Sequence, residues 1–387
     1  METDPLPLLE NLIRCPSVTP DQAGALDCLS TYLNALGFHC ERLVFSEPGT
    51  PDVDNLFARF GRGSPHLCFA GHIDVVPPGR LEDWAAPPFA AHQENGFLFG
   101  RGASDMKGSI AAFATAAGDA VKEGAFTGSL SLLITADEEG PAINGTKKVL
   151  AWMKEKGHIP DHCLVGEPTS TDRLGDTIKI GRRGSLSFEV KIAGIQGHVA
   201  YPHKADNPIP KLARLIDRLA THEFDGGNDR FDPTTLAVTT FDVGNPAANV
   251  IPAHARACFN IRFNTEQTTE SLTAAVKGVC KSVEDEMGGS FALDIIPRAD
   301  AFITEPGAFV GVVLDAIAAE TGVVARLSTS GGTSDARFIK DYCPVLEFGA
   351  LNATIHQVDE KIAIADLRNL AAIYRTIIET YFDRAAA

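Results

Sequence analysis

Three short apolar runs, HLCFAGHID (66–74), SLSLLITAD (129–137) and DHCLVGE (161–167), each end in acidic or histidine residues, and no other feature constrains the fold as much. Runs of this length without strict polar alternation suit strands buried on both faces. Between them, DMKGSIAAFATAAGDAVKEG (105–124) and GTKKVLAWMKEKG (145–157) read as helices with polar or charged starts and glycine stops. Strand, helix, strand, helix, strand is the pattern of an α/β layer with a mostly parallel mixed sheet. In such sheets sites form beyond the carboxyl ends of the strands. His72, Asp74, Glu138, Glu139 and Glu167 all fall there.

At 387 residues the chain exceeds the size at which one core stops growing, so two domains are expected. Leu26, Leu29, Leu33 and Leu36 form one helical stripe that ends at Gly37. From about residue 182 the texture changes. SLSFEVKIAG, TTLAVTTFDVG and ARACFNIRFN read as strands joined by helical PIPKLARLIDRLA and TTESLTAAVKGVCKSVEDEM, an inserted α+β domain with two helices on one face of a sheet. With Pro297 near its exit, the expected division is 1–181 with 297–387 for the first domain and 182–296 for the insertion. A helix over 307–322 and the strand VLEFGA (345–350) resume the first domain.

A formal net charge of −16 would repel a phosphate backbone over most of the surface, which argues against a nucleic-acid partner. No apolar run approaches the ~20 residues that span a bilayer. The start METDPLPLLENLIR has neither a basic head nor an apolar signal core, so a cytoplasmic protein is expected. The cysteines at 15, 28, 40, 68, 163, 258, 280 and 343 are widely spaced, form no CxxC pair and read as reduced.

The acidic and histidine residues sit in short Gly-rich motifs. In GHIDVVPPG an extended backbone would turn His72 and Asp74 to the same side, letting the Asp74 carboxylate accept the second ring N–H of His72; an exposed turn would use the same letters. GRGASDMKGS puts Asp105 just before a helix, where the amides keep a carboxylate ionised. Lys107, Gly108 and Ser109 run in the wrong order for a phosphate loop. TADEEG sets Glu138 and Glu139 pointing apart, so that one can bind metal while the other handles a proton, although such doublets are usually solvated turns. GEPT presents Glu167 before Pro168, and FGALNATIHQVDE supplies His356. The ligand set closes: His72 with Glu167 and His356 with Glu139 could serve two metal ions, Asp105 lying between them and Glu138 left over. The insertion adds Arg182 and Arg183 in GRRGS, His198, Tyr201 and His203 in QGHVAYPH, Asn249 in NVIP and Arg262 in NIRFN. Arginine suits fork-like recognition of carboxylates. SGGTSDARF, a Gly-rich loop, could hold a carboxylate on its amides or be a plain connection.

PSVTPDQAG, GHIDVVPPG, GRGASDMKG, TADEEGPAINGT, GEPT, GRRGS, QGHVAYPH, NVIP, SGGTSDARF and NATIHQVDE, in this order, resemble the motifs of the M20 metallopeptidase family. The resemblance implies a zinc-hydrolase-type catalytic domain with an inserted dimerisation domain. It implies two zinc ions, with Co2+ or Mn2+ as possible substitutes: one on His72, Asp105 and Glu167, the other on Asp105, Glu139 and His356. Glu138 would be the general acid/base and Asp74 a supporting catalytic residue. His198 would reach the partner subunit's active site in a homodimer, and Arg182, Tyr201, Asn249, Arg262, Gly332 and Thr333 would contact substrate, Asn249 across the dimer as well. Within the family the motifs look like the branch that hydrolyses the amide of N-succinyl-LL-2,6-diaminopimelate. The rivals are an N-acetylornithine deacetylase or another amidohydrolase of the family and, in a different class, a non-catalytic metal-binding protein.

Overall fold

The computed structural model describes residues 3–124 and 126–386. It forms two compact units, Met1–Ile180 with Thr304–Ser328 and Ser334–Ala387, and Gly181–Ile303 with Thr329–Thr333.

The first unit is built on an eight-stranded mixed sheet in the order His39–Phe45, Val53–Gly61, Ser129–Thr135, His66–His72, His162–Val165, Val345–Glu347, Thr177–Lys179, Arg326–Ser328. The four central strands, from Ser129–Thr135 to Val345–Glu347, run parallel. Val53–Gly61 and Thr177–Lys179 flank them antiparallel. Every residue of His66–His72 and Ser129–Thr135 is buried, which is why these runs lack alternation. The helices Lys107–Glu123 and Thr146–Lys156 follow as expected, each stopped by a left-handed glycine, Gly124 and Gly157. The leucine stripe lies on Ala25–Ala35 and buries Leu26, Leu29 and Leu33.

Lys107–Glu123 packs against the long helix Ile364–Ala386, and its small residues let the two approach. Phe69 from the sheet stacks on Phe113 at 4.3 Å between ring centroids, and Tyr374 meets both rings edge-on. Each such ring taken out of water stabilises the fold by about 1.5–3 kcal/mol. The Tyr374 hydroxyl donates to the carbonyl of Phe348 (2.7 Å), fixing the chain just beyond the Val345–Glu347 strand.

His66 opens its strand fully covered, with Nε2 2.7 Å from Ser131 Oγ. Burial first, and then the nearby Arg59 guanidinium, push its pKa from 6.5 down to about 4. Between these values the unfolded chain binds a proton that the folded chain refuses, so stability falls as pH drops through that window. At pH 4 the loss amounts to about 3 kcal/mol. His66→Gln cannot take up that proton, so its denaturant-derived stability should fall less than the parent's between pH 7 and pH 4.5. Parallel pH profiles for the two proteins would refute this.

The second unit is a four-stranded antiparallel sheet in the order Thr235–Asp242, His254–Phe263, Gly184–Ala193, Ser290–Ala299. The helices Pro208–Ala220 and Thr269–Met287 supply Leu212, Leu215, Leu219, Leu272 and Val276 to one core with Phe188 and Phe259. Asn207 caps the first helix by accepting from Ile209 N–H, and Thr268 with Ser271 forms a capping box on the second. The strand Ser290–Ala299 lies at the sheet edge and carries this unit through 297 to Ile303. Pro297 pairs with Leu186 beside a register shift, where a residue without an N–H is tolerated.

Candidate metal centre

Each central strand of the first unit delivers its carboxyl end to the same edge. His72 is the last residue of its strand, Glu138 and Glu139 follow Ser129–Thr135, and Glu167 follows His162–Val165. Asp105 arrives from the turn before Lys107–Glu123 and His356 from the segment after Val345–Glu347. Asp105 points one oxygen at each histidine: Oδ1 lies 3.1 Å from His72 Nε2 and Oδ2 lies 3.4 Å from His356 Nε2. His72 Nε2 is 3.9 Å from Glu167 Oε1, and His356 Nε2 is 2.8 Å from Glu139 Oε1. Donor atoms of His72, Asp105 and Glu139 come within 4.8 Å of one another, as do those of His72, Glu138 and Glu167. All six expected residues therefore meet in one cluster, with the Asp105 carboxylate at its centre.

Asp74 departs from expectation. His72 Nδ1–H donates to the Asp74 backbone carbonyl (2.9 Å), while the Asp74 carboxylate is 3.7 Å from that nitrogen. A carbonyl only accepts, so Nδ1 carries the proton and Nε2 is left as the ligand atom. The carboxylate accepts instead from the backbone N–H groups of Glu138 (3.4 Å) and Glu139 (3.1 Å). It thus shapes the turn that presents the acidic doublet. The His66–His72 strand ends before Asp74, so the side-by-side geometry of an extended chain does not apply there.

The electrostatics suit a cation. Burial, then the charges of Asp335 and Glu139, push Glu138 up to about 8, although His72 opposes them. Burial and Asp105 hold Glu167 well above the usual carboxylate range. Burial alone would raise Asp105, but bonds from His356 and His72 bring it well below that range. Hydrogen bonds to Asp105 and Glu139 lift His356 to about 10. Without a cation the cluster balances its excess negative charge by holding protons that metal binding would release. Two imidazole nitrogens with surrounding carboxylates form a mixed N/O donor set that fits zinc and its neighbours.

Some supporting residues escape a reading of the sequence. Asp137 folds the turn behind the doublet by accepting from Ala142, Ile143 and Asn144 N–H. Buried Asp335 accepts from Thr146 Oγ1 (2.6 Å). Arg101 and Glu360 form a fully buried ion pair (2.8 Å) beside Asp105. The acid that closes NATIHQVDE was the available signal for Glu360. Gly349 is required by close approach: a Cβ there would lie 2.5–2.7 Å from the carbonyls of Gly166 and Glu167 and from Ser109 Oγ.

The remaining expected residues belong to the second unit. Arg182 Nη1 donates to Ser330 O and Arg262 Nη1 to Thr333 Oγ1, both at 3.4 Å, beside Gly332. Gly331, at φ +102°, has no side chain to block the Arg182 guanidinium. Arg262 makes no ion pair with a carboxylate among the described residues. His198 lies on the short strand Gly197–His198 paired with Val250–Ile251, its ring 5.8 Å from that of exposed Tyr201. Asn249 adjoins it, its carbonyl accepting from Val199 N–H (3.1 Å).

A buried, carboxylate-bridged N/O cluster at the carboxyl edge of a mixed sheet defines a metallohydrolase, and the chain belongs to peptidase family M20/M25/M40, whose profile it matches over residues 68–380. Its sequence is 54% identical over 379 residues to a succinyl-diaminopimelate desuccinylase of Parvibaculum lavamentivorans, covering 98% of this chain and 96% of that protein. It is 55% identical over 383 residues to the protein of that name from Rhodospirillum centenum, covering 99% and 98%. Among solved structures it resembles the YXEP protein of Bacillus subtilis, a dinuclear metal-binding peptidase of the M20 family, with a TM-score of 0.74, 16% identity and 98% of each chain covered. No helix among the described residues is long and apolar enough to cross a membrane.

Proposed function

We propose that this chain hydrolyses N-succinyl-LL-2,6-diaminopimelate to succinate and LL-2,6-diaminopimelate, a step of diaminopimelate and lysine biosynthesis, in the cytoplasm. The observation that carries this reading is 54–55% identity, over nearly the whole chain, to proteins named for that reaction. The hydrolytic cluster of the first unit supports it. Two zinc ions, or Co2+ or Mn2+ in their place, would be held by His72, Asp105 and Glu167 on one side and by Asp105, Glu139 and His356 on the other. When bound they supply Lewis-acid polarisation and a water of lowered pKa.

Glu138 takes the proton from the attacking water as the water adds to the succinyl carbonyl. The same carboxyl then returns the proton to the departing amine. Burial among other acids raises its affinity for a proton, which suits a carboxylate that takes the proton from water and holds it until the amine departs. Asp74 keeps Glu138 in place through the turn amides and orients His72 through its carbonyl. His198, contributed by the partner in a homodimer, holds the developing oxyanion. Arg182, Tyr201, Asn249, Arg262, Gly332 and Thr333 hold the substrate carboxylates, with Asn249 also acting across the dimer. The charge of Arg262, unpaired with any described carboxylate, suits that task.

One experiment tests substrate and assembly together. His198→Ala and Glu138→Gln subunits, each nearly inactive alone, are mixed and assayed on N-succinyl-diaminopimelate and N-acetylornithine. Partial recovery on the succinyl substrate is expected, because a mixed dimer keeps one intact site. Preference for N-acetylornithine would overturn the substrate, and no recovery under proven subunit exchange would overturn the shared site.

A further inference from the structure

The two histidine ligands are held in different ways. His72 and Glu167 adjoin the ends of hydrogen-bonded central strands. His356 sits in a left-handed turn (φ +60°), a conformation that favours glycine, and its side chain is half exposed. Something other than the sheet must fix its distance from Asp105.

Glu360, wholly buried, does this from both sides. Its Oε1 accepts from the backbone N–H of Ser104 (2.9 Å) and Asp105 (3.0 Å). Its Oε2 accepts from Gly102 N–H (3.0 Å) and Arg101 Nη1 (2.8 Å). These amides converge on one carboxylate, which fixes the backbone of the turn that presents the Asp105 side chain to the histidines. Arg101 reaches on to the His356 segment, donating from Nη1 to Gln357 O (3.1 Å) and from Nη2 to His356 O (3.4 Å). The strand Phe97–Phe99 pairs with Lys361–Ala363, and Gly100 N–H donates to the Glu360 carbonyl, which ties the two segments over their length. A buried ion pair is seldom more stabilising than an apolar contact of the same volume. One planar guanidinium that donates to the carboxylate and to the His356 and Gln357 carbonyls does give fixed spacing and direction.

We propose that the Arg101–Glu360 pair is a positioning device for the second cation position, formed by Asp105, Glu139 and His356, and that it sets affinity chiefly there: Asp105 serves both positions, but His356 serves the second alone and has no strand to hold it. This rests on the two-cation reading given above. Neither residue touches substrate or a reacting atom; each acts through Asp105 and His356.

The test is a Co2+ titration of chelator-stripped protein, followed by calorimetry and by the visible absorption of bound cobalt. The parent should take two equivalents. Glu360→Gln, folded by circular dichroism, should bind the second ~10–100-fold more weakly and the first with a clearly smaller loss. Its kcat should recover at high Co2+ with KM unchanged. Parental affinity at both positions, or an equal loss at both, would overturn the proposal. If Glu360→Gln does not fold, Arg101→Lys gives the answer, because it keeps a cation beside Glu360 but cannot fork to the His356 and Gln357 carbonyls. The same selective loss is then expected, and its absence overturns the proposal. A parent that bound only one equivalent would instead bring down the two-cation reading, and this inference with it.

Discussion

Glu138→Gln should lower turnover by ~10²–10⁴-fold while bound metal persists. The amide keeps the shape of the carboxyl and loses only its ability to take and return a proton. Glu138 is boxed in by burial and by the charges of Asp335 and Glu139, which already favour its neutral form. A neutral amide therefore adds no desolvation cost, and the thermal midpoint should stay at or above the parent's. Its backbone N–H still donates to Asp74, so the turn that also carries Glu139 is retained. Steady-state kinetics paired with metal analysis of the same sample would check this. Turnover within tenfold of the parent, with metal fully bound, would remove Glu138 from the proton path. Loss of metal would make it a ligand, which its proximity to His72 and Glu167 makes a real alternative.

The parts of this site legible in the sequence are those dictated by strand geometry. Parallel strands deposit their carboxyl ends on one edge, so His72, Glu138, Glu139 and Glu167 follow from three apolar runs and their last letters. His356 follows only from counting ligands, since nothing in its own segment forces a histidine toward the sheet. What stays hidden is whatever depends on backbone donors. Glu360 binds Gly102, Ser104 and Asp105 through main-chain N–H groups, which carry no side-chain signature. The role of Asp74 inverts for the same reason: its carbonyl serves His72 and its carboxylate serves the turn amides. In the second unit the strand Ser290–Ala299 contains Pro297, which the sequence places only near the exit of the inserted domain. Only the edge position and the register shift beside it make that residue compatible with a strand.

Glu167→Gln should separate the stability of the metal-free fold from its capacity for metal. Burial, with Asp105, Glu138 and Glu347 adding repulsion, holds the Glu167 carboxyl well above its ordinary range despite His72. An acid raised in the folded state binds a proton that the unfolded chain has released. Its contribution to stability is therefore greatest at low pH and declines as pH climbs from the unfolded value of about 4.3 toward the folded one. Near neutrality the metal-free parent carries this penalty, and the glutamine, which never ionises, does not. Stripped of metal, Glu167→Gln should melt at or above the parent at pH 7.5, and its midpoint should fall less between pH 5 and pH 7.5. With metal the order reverses. A cation held at a thousand times its Kd stabilises the fold by about 4 kcal/mol, and a variant lacking one anionic ligand forfeits most of that gain together with activity. Thermal melts of both proteins, with chelator and with excess Zn2+, would measure all four quantities. A metal-free Glu167→Gln well below the parent at pH 7.5 would mean that the carboxylate is a net stabilising hydrogen-bond acceptor, and that the cluster does not store repulsion for a cation to relieve.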